Sequence, residues 1–365
     1  MAKAPTHHPP LKPGMIEAPH RRWAAGDLAL ESGEVIRDCE LSYVTHGKLN
    51  DAHDNAVLVT ISLSGNHHRL DFLIGPGKAL DPEHWFIVCV DPIGNGLTTS
   101  PSTSRAQPGM RFPRFVLRDM VLSQHRLLTE ALEIESVLAV IGASMGGMQA
   151  LQWAVSYPDF MRSIVAMTPM ARTAPWAVAV VETARRALMA DPAWDGEAFT
   201  DYPERGWRAW SGVMSVLAGR TPAALAEMFE RPLDALDWME KVTADNRANG
   251  FDATDWLYQS WAYQAHDVGT TPGYNGDTHA ALQAIKARAL ILAPPLDLFN
   301  PMQSSNEAAD AIPEVTLVEI PSVQGHQSAT SLKADDAQFL NEEIADFLQA
   351  VARDDGEYEQ HGGEG

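Results

Sequence analysis

The chain has 365 residues, of which 45% are hydrophobic, enough for one large core with an insertion or for two domains. Its formal net charge of −21 argues against nucleic acid and anionic membranes as partners, because both require clustered lysine and arginine. No apolar run approaches the roughly 18 residues that span a bilayer, and residues 1–10 lack the apolar centre of a secretory signal, so we expect a soluble, cytoplasmic protein.

In chain order, an irregular arm comes first and alternating strand and helix patterns follow. Residues 1–22 are rich in proline and histidine and predict the arm. Alternation of this kind predicts an α/β fold with a mostly parallel, doubly wound sheet. The predicted strands are 27–31, 34–45, 55–63, 84–90, 137–142 and 163–167, and the predicted helices are 115–132 and 145–156.

The pattern changes near residue 171. Almost only helical periodicity follows as far as residue 285, with seven of the ten tryptophans, and this predicts an inserted cap above the active site. Alternation then resumes with strands 289–293 and 315–320 and helices 302–312 and 335–352. The predicted organisation is an N-terminal arm at 1–22, a core at 23–170 and 286–353, a helical cap (lid) domain at 171–285, and a disordered acidic tail at 354–365.

The most specific motif is Gly142-Ala143-Ser144-Met145-Gly146-Gly147, a G-x-S-x-G sequence between a predicted strand and a predicted helix. In that context the motif is typical of the nucleophile elbow of α/β-hydrolases. The glycines are needed because the serine backbone is strained and the neighbouring strand and helix come close. We therefore predict that Ser144 is a nucleophile, the alternative being an incidental serine in a glycine-rich turn.

A serine nucleophile needs a base and an acid that orients the base. Asp297 lies in the loop after strand 289–293, and His326 lies in the loop after strand 315–320. The order serine, aspartate, histidine at strand ends is the order of this fold. Taken alone, Asp297 could equally cap a turn and His326 could be an ordinary loop histidine, but together with the elbow they predict a Ser144–His326–Asp297 triad.

Two backbone amides should bind the developing oxyanion. One is predicted to be the N–H of Met145, directly after the nucleophile, and the other the N–H of Leu63, in the loop after strand 55–63. His67 and His68 adjoin this loop; we interpret them as solvated, with contact to the substrate as the alternative. The two cysteines do not form a disulfide framework, and we expect no metal ion.

Over roughly residues 20–350, the chain resembles the homoserine O-acetyltransferase family of α/β-hydrolases. Five stretches carry the resemblance, one of which contains the motif, and as a set they are specific to that family. They are residues 75–81, 118–121, 142–151, 157–159 and 190–196. The resemblance implies an acyl-enzyme at Ser144, the triad above, a helical cap, a deep tunnel and a homodimer formed through the cap.

The chain also departs from that family pattern. In the family, the histidine is followed by an aspartate that pairs with the substrate amino group, whereas Gln327 follows His326 here. The first cap helix of the family carries an asparagine and, four residues later, an arginine that meet the substrate carboxylate; Val181 replaces the asparagine and Arg185 keeps the arginine. Neither glutamine nor valine replaces these partners, so we expect weak homoserine recognition and closer similarity to the acetyl-ester hydrolases of the family.

Three functions remain in competition. The first is a serine esterase that hydrolyses short-chain, acetyl esters. The second is an O-acetyltransferase that uses acetyl-CoA as acyl donor and homoserine or another alcohol as acceptor. The third is a noncatalytic binding protein, against which the complete triad argues. The expected partners are a small-molecule ester or alcohol and a second copy of the chain, with no cofactor beyond acetyl-CoA.

Overall fold

The computed structural model describes residue 8 and residues 10–361, with side chains described up to residue 353. In this part of the chain, eight strands form one sheet with the order β1-β2-β4-β3-β5-β6-β7-β8. The strands are β1 Arg21–Ala29, β2 Val35–His46, β3 Ala56–Thr60, β4 Phe86–Val90, β5 Val137–Ala143, β6 Met161–Met167, β7 Arg288–Ala293 and β8 Val315–Glu319.

The sheet is antiparallel at one edge and parallel elsewhere. β1 pairs antiparallel with β2, which pairs antiparallel with β4, and all the other pairings are parallel. Every residue of β3 and of β5 is buried, as expected for central parallel strands that are covered on both faces. The predicted α/β fold class with a mostly parallel sheet is confirmed.

Helices cover both faces of the sheet. Along β3, Leu58 packs into one apolar cluster while Val57 and Val59 pack into another on the opposite face. The helices are α1 Leu117–Arg126, α2 Met145–Ser156, α3 Pro175–Met189, α4 Glu204–Ser211, α5 Pro222–Met228, α6 Asp234–Ala248, α7 Ala253–Gln264, α8 Thr278–Gln283, α9 Met302–Ala311 and α10 Ala334–His361. The first cluster contains residues of α1, α2 and α9, and the second contains apolar residues of α10.

Six of these helices, α3 to α8, occupy the segment predicted to form the cap. Within it, α3 packs against α4 and α7, and α4 packs against α6. The last of the six, α8, packs against α9 of the core, so the end of this segment is joined to the sheet domain. The helices of this segment lie between β6 and β7 in the chain, and the sites described below lie at the carboxyl ends of the neighbouring strands.

Two boundaries differ from the sequence predictions. β1 begins at Arg21, within the predicted arm, because its first residues pair with β2 while remaining exposed and therefore lack an apolar pattern. The predicted helix 115–132 is confirmed as α1 followed by a π-helical turn, Leu127–Ala131. α10 runs to His361, past the boundary predicted at 353, although the side chains from residue 354 and all of residues 362–365 lie outside the described residues.

Candidate active site

Ser144 lies at a sharp turn between β5 and α2. Its φ of 58° and ψ of −123° are strained for a residue with a side chain. A Cβ on Gly142 would lie 2.3 Å from the backbone of Gly146, and one on Gly146 would lie 2.5 Å from the carbonyl oxygen of Thr60. A Cβ on Gly147 would approach a backbone oxygen of β6 to 2.7 Å. The glycines therefore allow the close packing that holds the serine at the tip of the turn.

The structure brings Ser144, His326 and Asp297 into one hydrogen-bonded chain. The Oγ of Ser144 lies 2.8 Å from Nε2 of His326, and Nδ1 of His326 lies 2.8 Å from Oδ2 of Asp297. An ionised carboxylate only accepts hydrogen bonds, which assigns the ring proton to Nδ1 and leaves Nε2 to accept from the serine hydroxyl. All three residues are buried, and each follows a strand of the sheet, β5, β8 and β7 respectively.

Asp297 is held by its own turn. Its Oδ1 accepts hydrogen bonds from the backbone N–H groups of Phe299 (2.7 Å) and Asn300 (2.9 Å), which leaves Oδ2 for His326. Asp297 therefore caps a turn and meets the histidine at the same time, so the two interpretations of this residue are compatible. The ring of Phe299 also packs edge-on against His326, with centroids 5.0 Å apart, and this contact fixes the imidazole from a second side.

Hydrogen bonds tie the predicted oxyanion loop to the elbow. The hydroxyl of Ser62 donates to the carbonyl of Ala143 at 2.8 Å, and the side-chain amide of Gln149 donates to the carbonyls of Ile61 and Met145 at 2.9 and 3.1 Å. Met145 is the first residue of α2, where backbone N–H groups have no partner within the helix. Leu63 lines the same cavity as Ser144. The oxyanion role of these two amides stays a prediction.

A cavity of about 330 Å³ opens onto Ser144 and His326. Its wall combines polar side chains with aromatic ones, most of which come from the segment between β6 and β7. The aromatic side chains are Trp210, Trp238, Phe251, Trp256 and Phe299. A cavity of this size with a partly apolar wall beside a polar, buried constellation is what a small-molecule site requires.

Two arginines, which the sequence analysis did not identify, also line this cavity. The Nε of Arg69 is buried and has no hydrogen-bond partner among the described residues. Arg220 donates from Nη1 to the carbonyl of Gly219 at 2.9 Å and lies over the ring of Trp238, but its Nε is likewise buried without a partner. Burial lowers the pKa of both guanidinium groups, although arginine remains charged in proteins.

The described residues that line the cavity include no aspartate or glutamate, and the ion pairs found among the described residues involve neither arginine. Two positive charges therefore face this cavity without a counter-charge among its described lining residues. A buried, uncompensated charge is unfavourable unless a ligand supplies the opposite charge. The signal available in the sequence was weak, because each arginine stands alone in a loop or near a helix start.

The three predicted substrate-binding residues are not brought together. Gln327 lines the cavity, but Val181 is fully buried in the apolar core of α3. Arg185 lies at a separate surface pocket with Glu182 and Trp261. Its guanidinium already pairs with Glu182 at 2.7 Å and donates to Ser260 at 3.1 Å. The contacts of Arg185 and Val181 thus differ from those that the resemblance implied, because α3 turns these residues away from the cavity that contains Ser144.

The interpretation of His67 and His68 as solvated is wrong. Both side chains are buried, and their Nδ1 atoms lie 3.0 Å from Asp91 and 2.6 Å from Asp71 respectively. Neither histidine is among the residues that line the cavity at Ser144. The oxyanion loop continues directly into a 3₁₀ helix, His67–Leu73, whose start turns these side chains inward beneath the loop.

Comparisons with known proteins identify the family of this chain. The family model described as the alpha/beta hydrolase fold matches residues 65–326. A homoserine O-acetyltransferase of Trichormus variabilis is 32% identical over 338 residues, covering 88% of this chain and 92% of the relative. The probable esterase Cgl0839 of Corynebacterium glutamicum is 32% identical over 319 residues, covering 85% and 90%.

Two solved structures of acetyl esterases are similar to this chain over most of its length. An acetylester hydrolase from Corynebacterium glutamicum superimposes with a TM-score of 0.84 at 26% identity, covering 91% of this chain and 96% of that one. The acetyl esterase MekB superimposes with a TM-score of 0.83 at 29% identity, covering 91% and 97%. In the described part of the chain, the helices are too short or too polar to cross a membrane.

Proposed function

Since this chain belongs to the α/β-hydrolase family, we propose that it hydrolyses short-chain acetate esters through an acyl-enzyme at Ser144. The observation that carries the proposal is the continuous chain from the Ser144 hydroxyl through His326 to Asp297, with both links at 2.8 Å. A nucleophile, a base and an orienting acid in hydrogen-bond reach of one another are the components that serine acyl transfer needs.

In the proposed reaction, Oγ of Ser144 attacks the ester carbonyl carbon while Nε2 of His326 takes the hydroxyl proton. The N–H groups of Met145 and Leu63 donate to the resulting oxyanion. His326 then returns the proton to the leaving alcohol, and an acetyl-serine remains. Water attacks this ester in the second half, with His326 as base, and the release of acetate restores the Ser144 hydroxyl. Asp297 stays ionised throughout and holds the imidazole tautomer.

The charges of the cavity favour a substrate that carries a negative group. Arg69 and Arg220 could each donate to a carboxylate or a phosphate on the alcohol part of the ester. The cavity offers an ammonium group no carboxylate among its described lining residues, and the amide of Gln327 carries no charge. The substrate class that fits is therefore an acetate ester of an acidic alcohol rather than of an amino acid.

The second candidate is acetyl transfer from acetyl-CoA to an alcohol, which uses the same acyl-enzyme. It is favoured by relatives named homoserine O-acetyltransferase at 32–33% identity. The two reactions differ in whether water or an alcohol attacks the acyl-enzyme. Acetyl transfer dominates only if the active site excludes water while it admits the acceptor alcohol.

The test is to incubate the protein with 4-nitrophenyl acetate or acetyl-CoA, with and without homoserine and uncharged alcohols, and to measure hydrolysis and transfer together. Ser144→Ala is the blank for both reactions. We expect ester hydrolysis to dominate and homoserine to be acetylated poorly. Efficient acetylation of homoserine with slower hydrolysis would replace the esterase proposal by the transferase one.

The surface of the predicted cap supports a homodimer as part of this proposal. Leu217, Leu233 and Leu236 are 64%, 76% and 60% exposed, and a second copy of the chain packed against this segment would remove their apolar surface from water. A cytoplasmic location is proposed as well, and the two buried cysteines without a disulfide, Cys39 and Cys89, are compatible with it.

A further inference from the structure

Four histidines converge on the far side of the oxyanion loop. His8 and His20 come from the N-terminal segment, and His67 and His68 begin the 3₁₀ helix after the loop. The ring centroid of His8 lies 4.8, 5.1 and 4.7 Å from those of His20, His67 and His68. The ring of His67 lies 4.3 Å from each of the rings of His20 and His68. We propose that this cluster binds one divalent transition-metal ion of the kind that imidazole prefers, with Zn²⁺ as the first candidate.

The inner pair of histidines is already oriented as metal ligands. Nδ1 of His67 meets Asp91 and Nδ1 of His68 meets Asp71, so each ring donates its proton to a carboxylate. The remaining Nε2 atoms are buried and have no hydrogen-bond partner among the described residues. Leaving a buried polar atom unsatisfied is costly. A carboxylate on Nδ1 with a free Nε2 is the arrangement that typically orients a histidine toward zinc.

The outer pair adds two ring nitrogens close to His67. One ring nitrogen of each of His8, His20 and His67 lies within 4.8 Å of the other two. Tetrahedral coordination at 2.0–2.1 Å places neighbouring nitrogens roughly 3.4 Å apart, so the rings need to close in by up to about 1.4 Å. His20 is exposed and gives the ion a route from solvent.

Charge around the cluster favours a cation. Asp91 and Asp71 are both buried, and each contacts one of the inner histidines. These two carboxylates lie 3.0 and 2.6 Å from the Nδ1 atoms of His67 and His68. Their negative charges would offset the charge of a divalent ion bound by otherwise neutral imidazoles. In the proposed site the unpartnered Nε2 of His68 supplies the fourth ligand, and four protein ligands with no open position are the coordination of a structural zinc site rather than a catalytic one.

The ion would fasten the N-terminal segment to the oxyanion loop. Asp71, which orients His68, also accepts the backbone N–H of Ile16 at 2.7 Å. Asp91, which orients His67, accepts from Asn95 at 3.1 Å, and Asn95 donates in turn to the carbonyl of Gly65 within the loop at 3.2 Å. Binding of the metal therefore stabilises the loop that carries Leu63, without contact to Ser144.

The test uses the full chain with no added histidine tag, stripped with a chelator and titrated with Zn²⁺ by calorimetry. Co²⁺ serves as a spectroscopic substitute. We expect one equivalent of Zn²⁺ to bind and to raise Tm. His20→Ala should lower the Zn²⁺ affinity at least about tenfold, the lower end of what loss of even an outer-sphere partner does. The matched control is His84→Ala, at another exposed histidine, which should bind Zn²⁺ like the wild type.

A third variant separates ligation from a structural effect. His20→Cys replaces one metal ligand by another, so it should retain Zn²⁺ and should give Co²⁺ a thiolate-to-metal absorption band that the wild type lacks. Absence of Zn²⁺ binding by folded wild-type protein at micromolar concentration would overturn the proposal. So would equal affinities of His20→Ala and wild type, or Co²⁺-loaded His20→Cys without the thiolate band. These readouts do not involve ester hydrolysis, so they are independent of the proposed function.

Discussion

Replacing Asp297 by asparagine should disable the site while preserving its shape. Oδ1 of Asp297 accepts two backbone N–H groups, from Phe299 and Asn300. Only the oxygen of an asparagine side chain can take that position, so its NH₂ group must face Nδ1 of His326. Nδ1 then has to accept, the ring proton moves to Nε2, and Nε2 can no longer take the proton of Ser144. The wrong tautomer lowers kcat by about 10⁴ in a serine protease, equivalent to about 5 kcal/mol of barrier.

The assay is kcat for 4-nitrophenyl acetate, with the circular dichroism and Tm of each variant as checks on folding. Asp277→Asn is the matched control, because Asp277 also caps a backbone N–H group, accepting the N–H of Ala280 at 3.0 Å at the start of α8, but it does not line the cavity at Ser144. Asp277→Asn should retain wild-type kcat. If Asp297→Asn kept a few per cent of wild-type activity, the tautomer argument would fail and Asp297 would be reduced to a turn residue.

Three further outcomes are expected. Ser144→Ala should fold normally and lose on the order of a millionfold in kcat; residual activity of a few per cent would exclude Ser144 as nucleophile. Arg69→Met should lower the ratio of kcat/KM for an acetate ester of an acidic alcohol to kcat/KM for a neutral acetate ester by about 10- to 100-fold. The reason is that a hydrogen bond to a charged group contributes about 1.5–3 kcal/mol. An unchanged ratio would show that Arg69 does not recognise the substrate. Leu233→Glu combined with Leu236→Glu should convert the proposed dimer to a monomer in sedimentation, because each leucine buried in the interface would contribute about 1.5–3 kcal/mol. A wild-type protein that is monomeric at micromolar concentration would contradict the dimer proposal.

The elbow and the strand ends were predictable because local backbone geometry determines them. A glycine two residues either side of Ser144 is required wherever a strand turns into a helix at this angle, and the Cβ distances of 2.3 and 2.5 Å at Gly142 and Gly146 show why. Asp297 and His326 follow β7 and β8, and the carboxyl ends of parallel strands share one edge of the sheet. Residues that directly follow parallel strands in the sequence, such as Asp297 and His326, are therefore expected to lie close together in the structure.

The substrate-binding residues were harder to predict because they depend on how α3 is oriented. The family pattern fixes positions along the chain, but a helical residue faces the cavity only if packing turns it there. Val181 faces the core, and the side chain of Arg185 is itself buried, where it donates to Ser260 of α7 and pairs with Glu182. Similarly, the histidine cluster joins residues some 60 positions apart, and no local pattern reports such a contact.

The net charge of the chain illustrates why a global property does not describe a site. A chain with 48 acidic and 27 basic residues should repel anions, yet the cavity beside Ser144 is lined by Arg69 and Arg220 with no acidic residue among its described lining. Salt screens exposed charges over about 8 Å at physiological ionic strength, whereas buried charges are screened much less. A small anionic ester inside the cavity would therefore respond to these two guanidinium groups rather than to the acidic surface. The negative net charge of the chain is thus compatible with the proposed acidic substrate.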